Sequence, residues 1–285
     1  MKIKSVGIIG LGQMGAGIAQ VFATAGVSTY VYDAQAGATE KGVSGIKKRL
    51  ERLVEKATIS AADRDQTVKL IQPASTLTEF KAVDLVIEAI VENTEIKTKL
   101  FKELDTICKP ETIFASNTSS ISITKLAAAT SRPEKTVGMH FMNPVPVMKL
   151  VELIRGLQTS DATYTLTKET VEALGKVPVT AKQDFPGFIV NRILIPMLNE
   201  AVYVLMEGIA DPTDIDQAMK LGCNQPMGPL ELADFVGLDT CLYISQILHR
   251  ELGDSKYRPC PLLVKYVEAG WLGRKTGRGF YQYNQ

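Results

Sequence analysis

The sequence has few histidines and almost no net charge. Its 285 residues include two histidines, and 32 lysines and arginines stand against 31 aspartates and glutamates, giving a formal net charge of +1. Nucleic-acid-binding proteins usually carry a strong basic excess, so nucleic acid is not expected as the main partner. The balance still allows a local basic patch that binds an anionic small molecule.

Cysteine is also scarce, and its spacing argues against a metal site and a disulfide framework. The four cysteines form no CxxC pair and no cluster with histidine; they are Cys108, Cys223, Cys241 and Cys260. A reduced, cytoplasmic setting is the simplest interpretation. No apolar run is long enough to span a membrane. Met1 leads into a strand-like run without the charged, apolar and cleavage regions of a secretory leader, so none is expected.

A glycine-rich turn follows the first strand-like run. The stretch VGIIG at residues 6–10 is short and continuously apolar, which is typical of a strand buried on both faces. It runs into G-L-G-Q-M-G, comprising Gly10, Leu11, Gly12, Gln13, Met14 and Gly15. A helix-like segment at 14–25 comes next, and a second strand-like run at 27–32 ends at Asp33. This order predicts a dinucleotide-binding unit.

Each part of this unit has a mechanical reason. Gly10 allows the tight turn, Gly12 lets a pyrophosphate approach the backbone, and Gly15 lets the helix pack closely on the strand. The helix N-terminus offers N–H groups and a positive dipole end to phosphates. Asp33 can accept hydrogen bonds from the adenosine ribose hydroxyls and would repel a 2′-phosphate, which favours NAD over NADP. The three residues after Asp33 supply no arginine, although a more distant basic residue could reach the site.

Residues 42–58 have the pattern of a charged amphipathic helix. Lys48, Arg52 and Lys56 recur every four residues and therefore share one face. That face is either a solvated surface with Glu51 and Glu55 as counter-charges, or a site for a phosphate-rich substrate tail.

The middle of the chain alternates strand-like and helix-like segments. Residues 84–89 predict a strand. A helix is expected at 94–107, and near its start lie Glu92, Asn93 and Lys97. A further strand at 112–115 runs into SNTSS at 116–120. Ends of parallel strands are where such sheets bind ligands. The hydroxyl-rich run therefore either binds a substrate oxygen or caps the next helix, predicted at 122–129.

One histidine lies near a glutamate in an otherwise apolar stretch. We expect a strand at 136–142 with His140 and a returning strand at 149–154 with Glu152. A carboxylate bonded to one imidazole nitrogen would fix the tautomer and leave the other nitrogen to take a proton. The alternative is a structural core histidine beside a rim glutamate. His249, in a late amphipathic helix, shows no sign of chemistry.

The alternation ends at DFPG, residues 184–187, and helices follow. A long apolar helix is expected at 188–208 with a kink at Pro196, and further helices begin near Pro212, Pro229 and Pro261. The predicted fold is α/β, with an N-terminal Rossmann-type doubly wound, mostly parallel sheet (residues 1–185) and an all-helical C-terminal domain (186–285).

Several motifs together resemble the 3-hydroxyacyl-CoA dehydrogenase family, in particular its short-chain bacterial 3-hydroxybutyryl-CoA members. The matching stretches are GIIGLGQMGAGIA, VIEAIVEN, FASNTSS, HFMNPVPVMKLVE, PGFIVNRI, AMKLG, PMGPLEL and GRKTGRGFY, and they span nearly the whole chain. The resemblance implies NAD-dependent interconversion of an L-3-hydroxyacyl-CoA and a 3-oxoacyl-CoA, in butyrate or fatty-acid metabolism. It also implies a helical domain that dimerises, giving a homodimer.

The resemblance assigns roles to matching positions. It implies that His140 is the general base, that Glu152 orients it, and that Ser119 and Asn191 hold the reacting oxygen or the thioester. Further cofactor contacts are implied at Ala89, Glu92, Lys97, Asn117, Ser119 and Asn143. The basic helix is similar to the family's CoA-binding helix, which favours a substrate role for Lys48, Arg52 and Lys56.

Two other functions are compatible with a dinucleotide domain joined to a helical one. A 3-hydroxyisobutyrate-type or 6-phosphogluconate-type dehydrogenase would typically use a lysine base on a helix of the second domain. A non-catalytic, nucleotide-binding relative would be expected to lack His140 or Glu152. Both residues are present, which favours an active enzyme.

Overall fold

The computed structural model describes residues 2–283 and divides the chain into two compact units, Met1–Asp184 and Phe185–Gln285. The first unit is built on one sheet with the strand order β3-β2-β1-β4-β5-β6-β7-β8. The strands are β1 (Ser5–Ile9), β2 (Ser28–Tyr32), β3 (Ile71–Pro73), β4 (Leu85–Glu88), β5 (Ile113–Ser116), β6 (Thr136–Phe141), β7 (Leu150–Ile154) and β8 (Val177–Ala181).

Strands β1 to β6 are parallel, and the direction then reverses. β7 pairs antiparallel with β6, and β8 pairs parallel with β7. The helices of this unit are α1 (Gln13–Thr24), α2 (Ala38–Glu55), α3 (Ala61–Lys69), α4 (Thr94–Ile107), α5 (Ile123–Ala127) and α6 (Asp161–Ala173). The predicted doubly wound, mostly parallel sheet is confirmed.

The central strands are buried because helices pack on both faces of the sheet. Alternate residues point to opposite sides. Ile8 and Ile87 belong to one apolar cluster, whereas Ile9, Val86 and Phe114 belong to another. The continuous apolar runs in β1 and β4 therefore reflect burial on two faces, as expected for a parallel sheet.

The predicted bounds of two helices in this unit were wrong. The basic helix α2 begins at Ala38, four residues before the predicted start, because Gly37 turns the chain in the left-handed region (φ 75°) at the N-cap. It ends at Glu55, and Ala57 has a positive φ of 53°. α5 is also shorter than predicted, ending at Ala127.

The second unit is helical, as predicted. Its helices are α7 (Val190–Met206), α8 (Pro212–Gly222), α9 (Pro229–Val236), α10 (Leu238–Leu252) and α11 (Pro261–Glu268). Asp211 is the N-cap of α8 and Pro212 its first helical residue, and Gly237 (φ 100°) separates α9 from α10. Over residues 2–283, we find no helix with the length and apolar character needed to cross a membrane.

Helix α7 is buried on one side only. Ile195, Leu198 and Val202 lie in the core of the helical unit, whereas Ile193 is 67% exposed. Pro196 lies within the helix. The apolar residues of the long helix predicted from the sequence therefore partly fill the core of this unit and partly stay on its surface.

Candidate active site

The turn between β1 and α1 has the geometry required to bind a dinucleotide. Gly10 has φ +91°, and a Cβ at Gly15 would lie 1.7 Å from the carbonyl oxygen of Gly10, so neither position accepts a larger residue without rearrangement. A Cβ at Gly12 would meet no atom within 4 Å. Gly12 is the N-cap of α1, whose first N–H groups have no carbonyl partner within the helix. The backbone here is open to a phosphate.

Asp33 holds this turn against the end of β2. Its Oδ2 accepts a hydrogen bond from the Leu11 N–H at 2.8 Å, and its Oδ1 accepts one from the Gln35 N–H at 2.9 Å. Gly12, Gln13 and Asp33 line an open cleft of about 500 Å³. The cleft joins a phosphate-accepting helix end to a ribose-accepting carboxylate, so the residues present fit a dinucleotide.

Two basic residues of α2, Lys41 and Arg49, also line this cleft, and sequence reasoning did not single them out. Arg49 is fixed by a hydrogen bond from its Nε to Gln20 Oε1 at 2.9 Å, and burial lowers its pKa. Lys41, Gly45 and Arg49 are spaced four residues apart and therefore share one face of the helix, with Gly42 next to Lys41. This spacing is the sequence signal that could have identified the two basic residues.

A buried ion pair lies at the carboxyl end of β4. The Lys97 Nζ donates to both carboxylate oxygens of Glu88, at 2.8 and 2.7 Å, and lies 3.2 Å from Glu92 Oε2. Burial raises the pKa of Glu88, and the Lys97 ammonium opposes that rise. Burial would also raise the pKa of Glu92, but Lys97 and the hydrogen bonds of the next loop lower it overall. Sequence reasoning named Glu92 and Lys97 but missed Glu88.

The hydroxyl-rich run after β5 is organised by Glu92. Its Oε1 accepts hydrogen bonds from the Ser119 N–H and the Ser120 hydroxyl, both at 3.0 Å, and from the Thr118 hydroxyl. The helix-capping role belongs instead to Ser122, whose hydroxyl accepts from the Lys125 N–H. The structure thus assigns Ser122 to capping and leaves residues 116–120 at the carboxyl edge of the sheet, the edge expected to bind ligand.

His140 and Glu152 face each other across the antiparallel pair β6 and β7. The two residues are registered directly opposite, and His140 Nδ1 lies 2.7 Å from Glu152 Oε2. The Glu152 side chain is fully buried and the His140 side chain is 10% exposed. A carboxylate can only accept, so a Glu152 carboxylate places the imidazole proton on Nδ1 and makes Nε2 the basic nitrogen.

The connection between these strands contacts the dinucleotide turn. The Gln13 Nε2 donates to Asn143 Oδ1 at 3.0 Å. Asn117 is held nearby, since its Oδ1 accepts from the Phe141 N–H at 2.9 Å. The buried Lys176 Nζ donates to the carbonyls of Val145 and Met148, at 2.6 and 2.7 Å. Sequence reasoning missed Lys176, whose contact depends on strand order rather than on a local pattern.

The remaining predicted residues lie on or next to α1, α2, β4 and α7. Lys48, Arg52 and Lys56 are exposed on or at the end of α2, and within the described residues none forms an ion pair. Asn191 is the second residue of α7 and half-buried, and His249 is half-buried in α10. Ala89 donates its N–H to the Ile9 carbonyl, and Met14 packs partly buried in the first helix. Within residues 2–283, no group of acidic, histidine and cysteine side chains could hold a metal ion.

Comparison with known proteins places these features in a family. Residues 5–185 match the model of the 3-hydroxyacyl-CoA dehydrogenase NAD binding domain, and residues 187–283 match that of the 3-hydroxyacyl-CoA dehydrogenase C-terminal domain. A 3-hydroxybutyryl-CoA dehydrogenase of Bradyrhizobium diazoefficiens is 58% identical, over 99% of this chain and 96% of its own length. A probable 3-hydroxybutyryl-CoA dehydrogenase of Bacillus subtilis is 55% identical, over 100% and 99%.

A solved structure agrees with these relatives. The crystal structure of (S)-3-hydroxybutyryl-CoA dehydrogenase from Ralstonia eutropha matches with a TM-score of 0.95 and 52% identity, over 99% of this chain and 100% of that one. The cleft residues fit NAD, the cofactor named in the first matching model. On the strength of both domain matches and these full-length relatives, the chain belongs to the 3-hydroxyacyl-CoA dehydrogenase family.

Proposed function

We propose that this protein interconverts L-3-hydroxybutanoyl-CoA and acetoacetyl-CoA with NAD as the redox partner, in butyrate or fatty-acid metabolism. The similar proteins named 3-hydroxybutyryl-CoA dehydrogenase support the substrate, because they match over nearly the full length of both chains. The observation that carries the chemistry is the buried pairing of His140 with Glu152 at 2.7 Å, in the same sheet as the dinucleotide turn.

His140 acts as a general acid and base in this proposal. During oxidation its Nε2 accepts the proton of the substrate hydroxyl, and the Glu152 carboxylate stabilises the resulting imidazolium through Nδ1. During reduction the imidazolium returns that proton to the ketone oxygen. Bound NAD supplies the site that accepts or gives the hydride. Histidine suits both directions because its ordinary pKa lies near neutral pH.

Other residues hold the two ligands. We assign cofactor binding to the residues of the turn, the ribose carboxylate and the carboxyl edge: Gly10, Leu11, Gly12, Gln13, Met14, Gly15, Asp33, Ala89, Glu92, Lys97, Asn117, Ser119 and Asn143. Of these, Lys97 would act on the cofactor indirectly, because its side chain is only 1% exposed and binds Glu88. We assign the reacting oxygen or thioester to Ser119 and Asn191.

The phosphates of CoA are assigned to the row of cations on α2. Lys48, Arg52 and Lys56 are exposed and have no ion-pair partner within residues 2–283, so their charge is available to a phosphorylated ligand. The domains in this proposal are residues 1–185 for NAD binding and 186–285 for substrate binding and dimerisation.

We further propose a homodimer formed through the helical unit, acting in the cytoplasm. Ile193, Ile209, Leu221 and Phe235 are large apolar side chains of this unit, and each is more than half exposed. These are side chains that an interface in this unit would cover, and a contiguous apolar patch is the usual mark of such an interface. The four free cysteines agree with a reducing compartment. Light scattering at micromolar concentration would show a mass of twice 31.1 kDa.

The decisive test is reduction of acetoacetyl-CoA followed by nicotinamide absorbance, with NADH and NADPH assayed in parallel. Turnover with NADH that is abolished in His140→Ala but kept in the control His249→Ala supports the mechanism. Equal turnover in wild type and His140→Ala contradicts it. Tight NADH binding without turnover would instead support a non-catalytic relative or another acyl substrate.

A further inference from the structure

The proposed mechanism gives no role to Lys176, a buried lysine at the point where α6 leads into β8. Lys176 is only 7% exposed, and its Nζ donates to the main-chain carbonyls of Val145 and Met148 at 2.6 and 2.7 Å. Within residues 2–283 no carboxylate forms an ion pair with it. Burial lowers the pKa of Lys176, and burying a charged group without a counter-charge is costly. Its contact with the two carbonyls therefore calls for an explanation.

The main chain holds Lys176 in a fixed position. The N–H groups of Gly175 and Lys176 donate to carbonyls in the last turn of α6, at 3.0 and 3.2 Å. With Gly175 in the left-handed region (φ 72°), these bonds form a Schellman motif at the end of the helix. The next residue, Val177, begins β8 and donates its N–H to the Lys149 carbonyl at 2.8 Å. A helix end and a strand start thus both restrain the backbone from which the ammonium extends.

The carbonyls that Lys176 binds belong to the connection between β6 and β7, residues 142–149. The side chain of Val145 in this connection is buried, and it packs on α1 at Gly17. A Cβ at Gly17 would lie only 2.8 Å from the Cβ of Val145, so the contact is close. The connection is therefore held at Val145 by two contacts, an apolar one with α1 and a polar one with the ammonium.

The same connection carries Asn143 against the dinucleotide turn. The Asn143 Oδ1 accepts from the Nε2 of Gln13, the first residue of α1, at 3.0 Å. Both residues are exposed, so this hydrogen bond by itself stabilises the arrangement only weakly. Asn143 lies two positions before Val145, and a shift of the connection at Val145 would move it. The proposed function assigns Asn143 to the cofactor, and the inference below rests on that assignment.

We propose that Lys176 is a positioning residue for the cofactor: its ammonium fixes the connection between β6 and β7, and the fixed connection holds Asn143 beside the dinucleotide turn. A lysine suits this role because one ammonium has three N–H donors and can bind more than one carbonyl oxygen. Since it binds main-chain carbonyls, it restrains the path of the connection directly.

The test measures the NADH dissociation constant by fluorescence in Lys176→Met, which keeps an unbranched side chain in the buried position but removes the donors. We expect binding to weaken about tenfold, because the lost hydrogen bonds come from a charged donor. The effect passes through Asn143, so adding Lys176→Met to Asn143→Ala should weaken binding by less than about twofold further. The matched control is Lys168→Met, at a half-exposed lysine of α6, which should change the constant by less than about twofold.

A purely structural role for Lys176 would lower the free energy of unfolding in urea but leave the NADH dissociation constant of the folded variant unchanged, and that result would overturn the proposal. Additive losses in the double variant would overturn it as well, because Lys176 would then not act through Asn143. If Lys176→Met does not fold, as judged by circular dichroism, Gly17→Ala takes its place, since the added methyl group displaces Val145. Gly17→Ala must then weaken NADH binding in wild type and not in Asn143→Ala.

Failure of the proposed function gives a different result. A wild type that binds neither NADH nor NAD would refute the cofactor assignment together with this proposal. A protein that binds NADH but does not turn over acetoacetyl-CoA would refute only the proposed substrate, and the single and double variants would still decide the role of Lys176.

Discussion

At the scale of single residues, Glu152 gives the sharpest test of the active-site geometry. Glu152→Gln keeps the size of the side chain and an oxygen that can accept from His140 Nδ1, but it cannot balance an imidazolium. We expect kcat for acetoacetyl-CoA reduction to fall roughly 10²- to 10³-fold, while the NADH dissociation constant stays unchanged. The control is Glu172→Gln, which alters a half-exposed glutamate on α6. A kcat within twofold of wild type would exclude the orienting role.

Two glycines of the same turn should respond differently to alanine. Gly15→Ala places a methyl group 1.7 Å from the Gly10 carbonyl oxygen, so the turn must shift, and we expect a loss of about 1–3 kcal/mol in the free energy of unfolding. Gly12→Ala meets no protein atom, so stability should hold while NADH binding weakens on the order of tenfold. Urea unfolding and NADH titration of both variants distinguish these effects. Equal loss of stability in both would contradict the assignment.

At the scale of elements, helix α2 makes a testable contribution to substrate affinity. Replacing Lys48, Arg52 and Lys56 together with glutamine should raise KM for acetoacetyl-CoA about 3- to 30-fold and leave kcat unchanged, because exposed ion contacts are each weak. The salt dependence of KM should fall as well. The control is Lys47→Gln on the same helix. With a truncated thioester that lacks the CoA phosphates, the triple variant and wild type should have the same KM. A different KM would indicate that the three basic residues have another role.

Elements with a strong local pattern could be predicted from the sequence, and weakly patterned ones could not. The glycine turn, β4, α4 and β6 each have an apolar run or a helix start signal within a few residues. α3, β3, α6 and β8 were not predicted. α3 buries a single residue, β3 has three residues, and β8 keeps most of its residues at least partly exposed, so hydrophobic periodicity is faint in all three.

In the candidate site, too, some contacts could be predicted from the sequence and others could not. The pairing of His140 with Glu152 followed from two strand predictions and a short connection, so it could be anticipated. The contacts of Glu88 and Lys176 depend on which strands become neighbours and on burial that brings distant segments together. No spacing within the sequence encodes those neighbours, which is why both residues were missed.

At the scale of the whole molecule, stability should depend on acid through buried or hydrogen-bonded carboxylates. Burial would raise the pKa of Asp105, but hydrogen bonds from Ser131 and Arg132 lower it overall. Burial would likewise raise the pKa of Asp84, but hydrogen bonds from Lys109, Lys4 and Ser5 lower it overall. A carboxyl group whose pKa is lowered on folding stabilises the folded state above its unfolded pKa, near 4, and that stabilisation is lost as pH falls through the folded pKa.

Asp105→Asn tests this dependence. The variant should lose about 1–2 kcal/mol in the free energy of unfolding at pH 7, because Arg132 loses its charged partner. The difference from wild type should begin to shrink below about pH 4, where the unfolded-state carboxyl group takes up a proton, and should be lost as the pH falls through the lower pKa of the folded state. Urea unfolding at pH 7 and pH 3.5 measures both values. Asp161→Asn, at an 89% exposed aspartate, serves as the control. A difference that did not shrink in acid would rule out the carboxylate charge as the cause.

The antiparallel direction of β7 limits the insertions and deletions that the connection between β6 and β7 can accept. His140 and Glu152 are separated by 12 positions and paired directly across two antiparallel strands. Side chains alternate between the two faces of a strand, so a one-residue deletion or insertion in the connection that slipped the register would send the carboxylate to the opposite face of the sheet. Relatives that use the same proton-transferring pair should therefore align here without gaps, while loops elsewhere on the surface tolerate them.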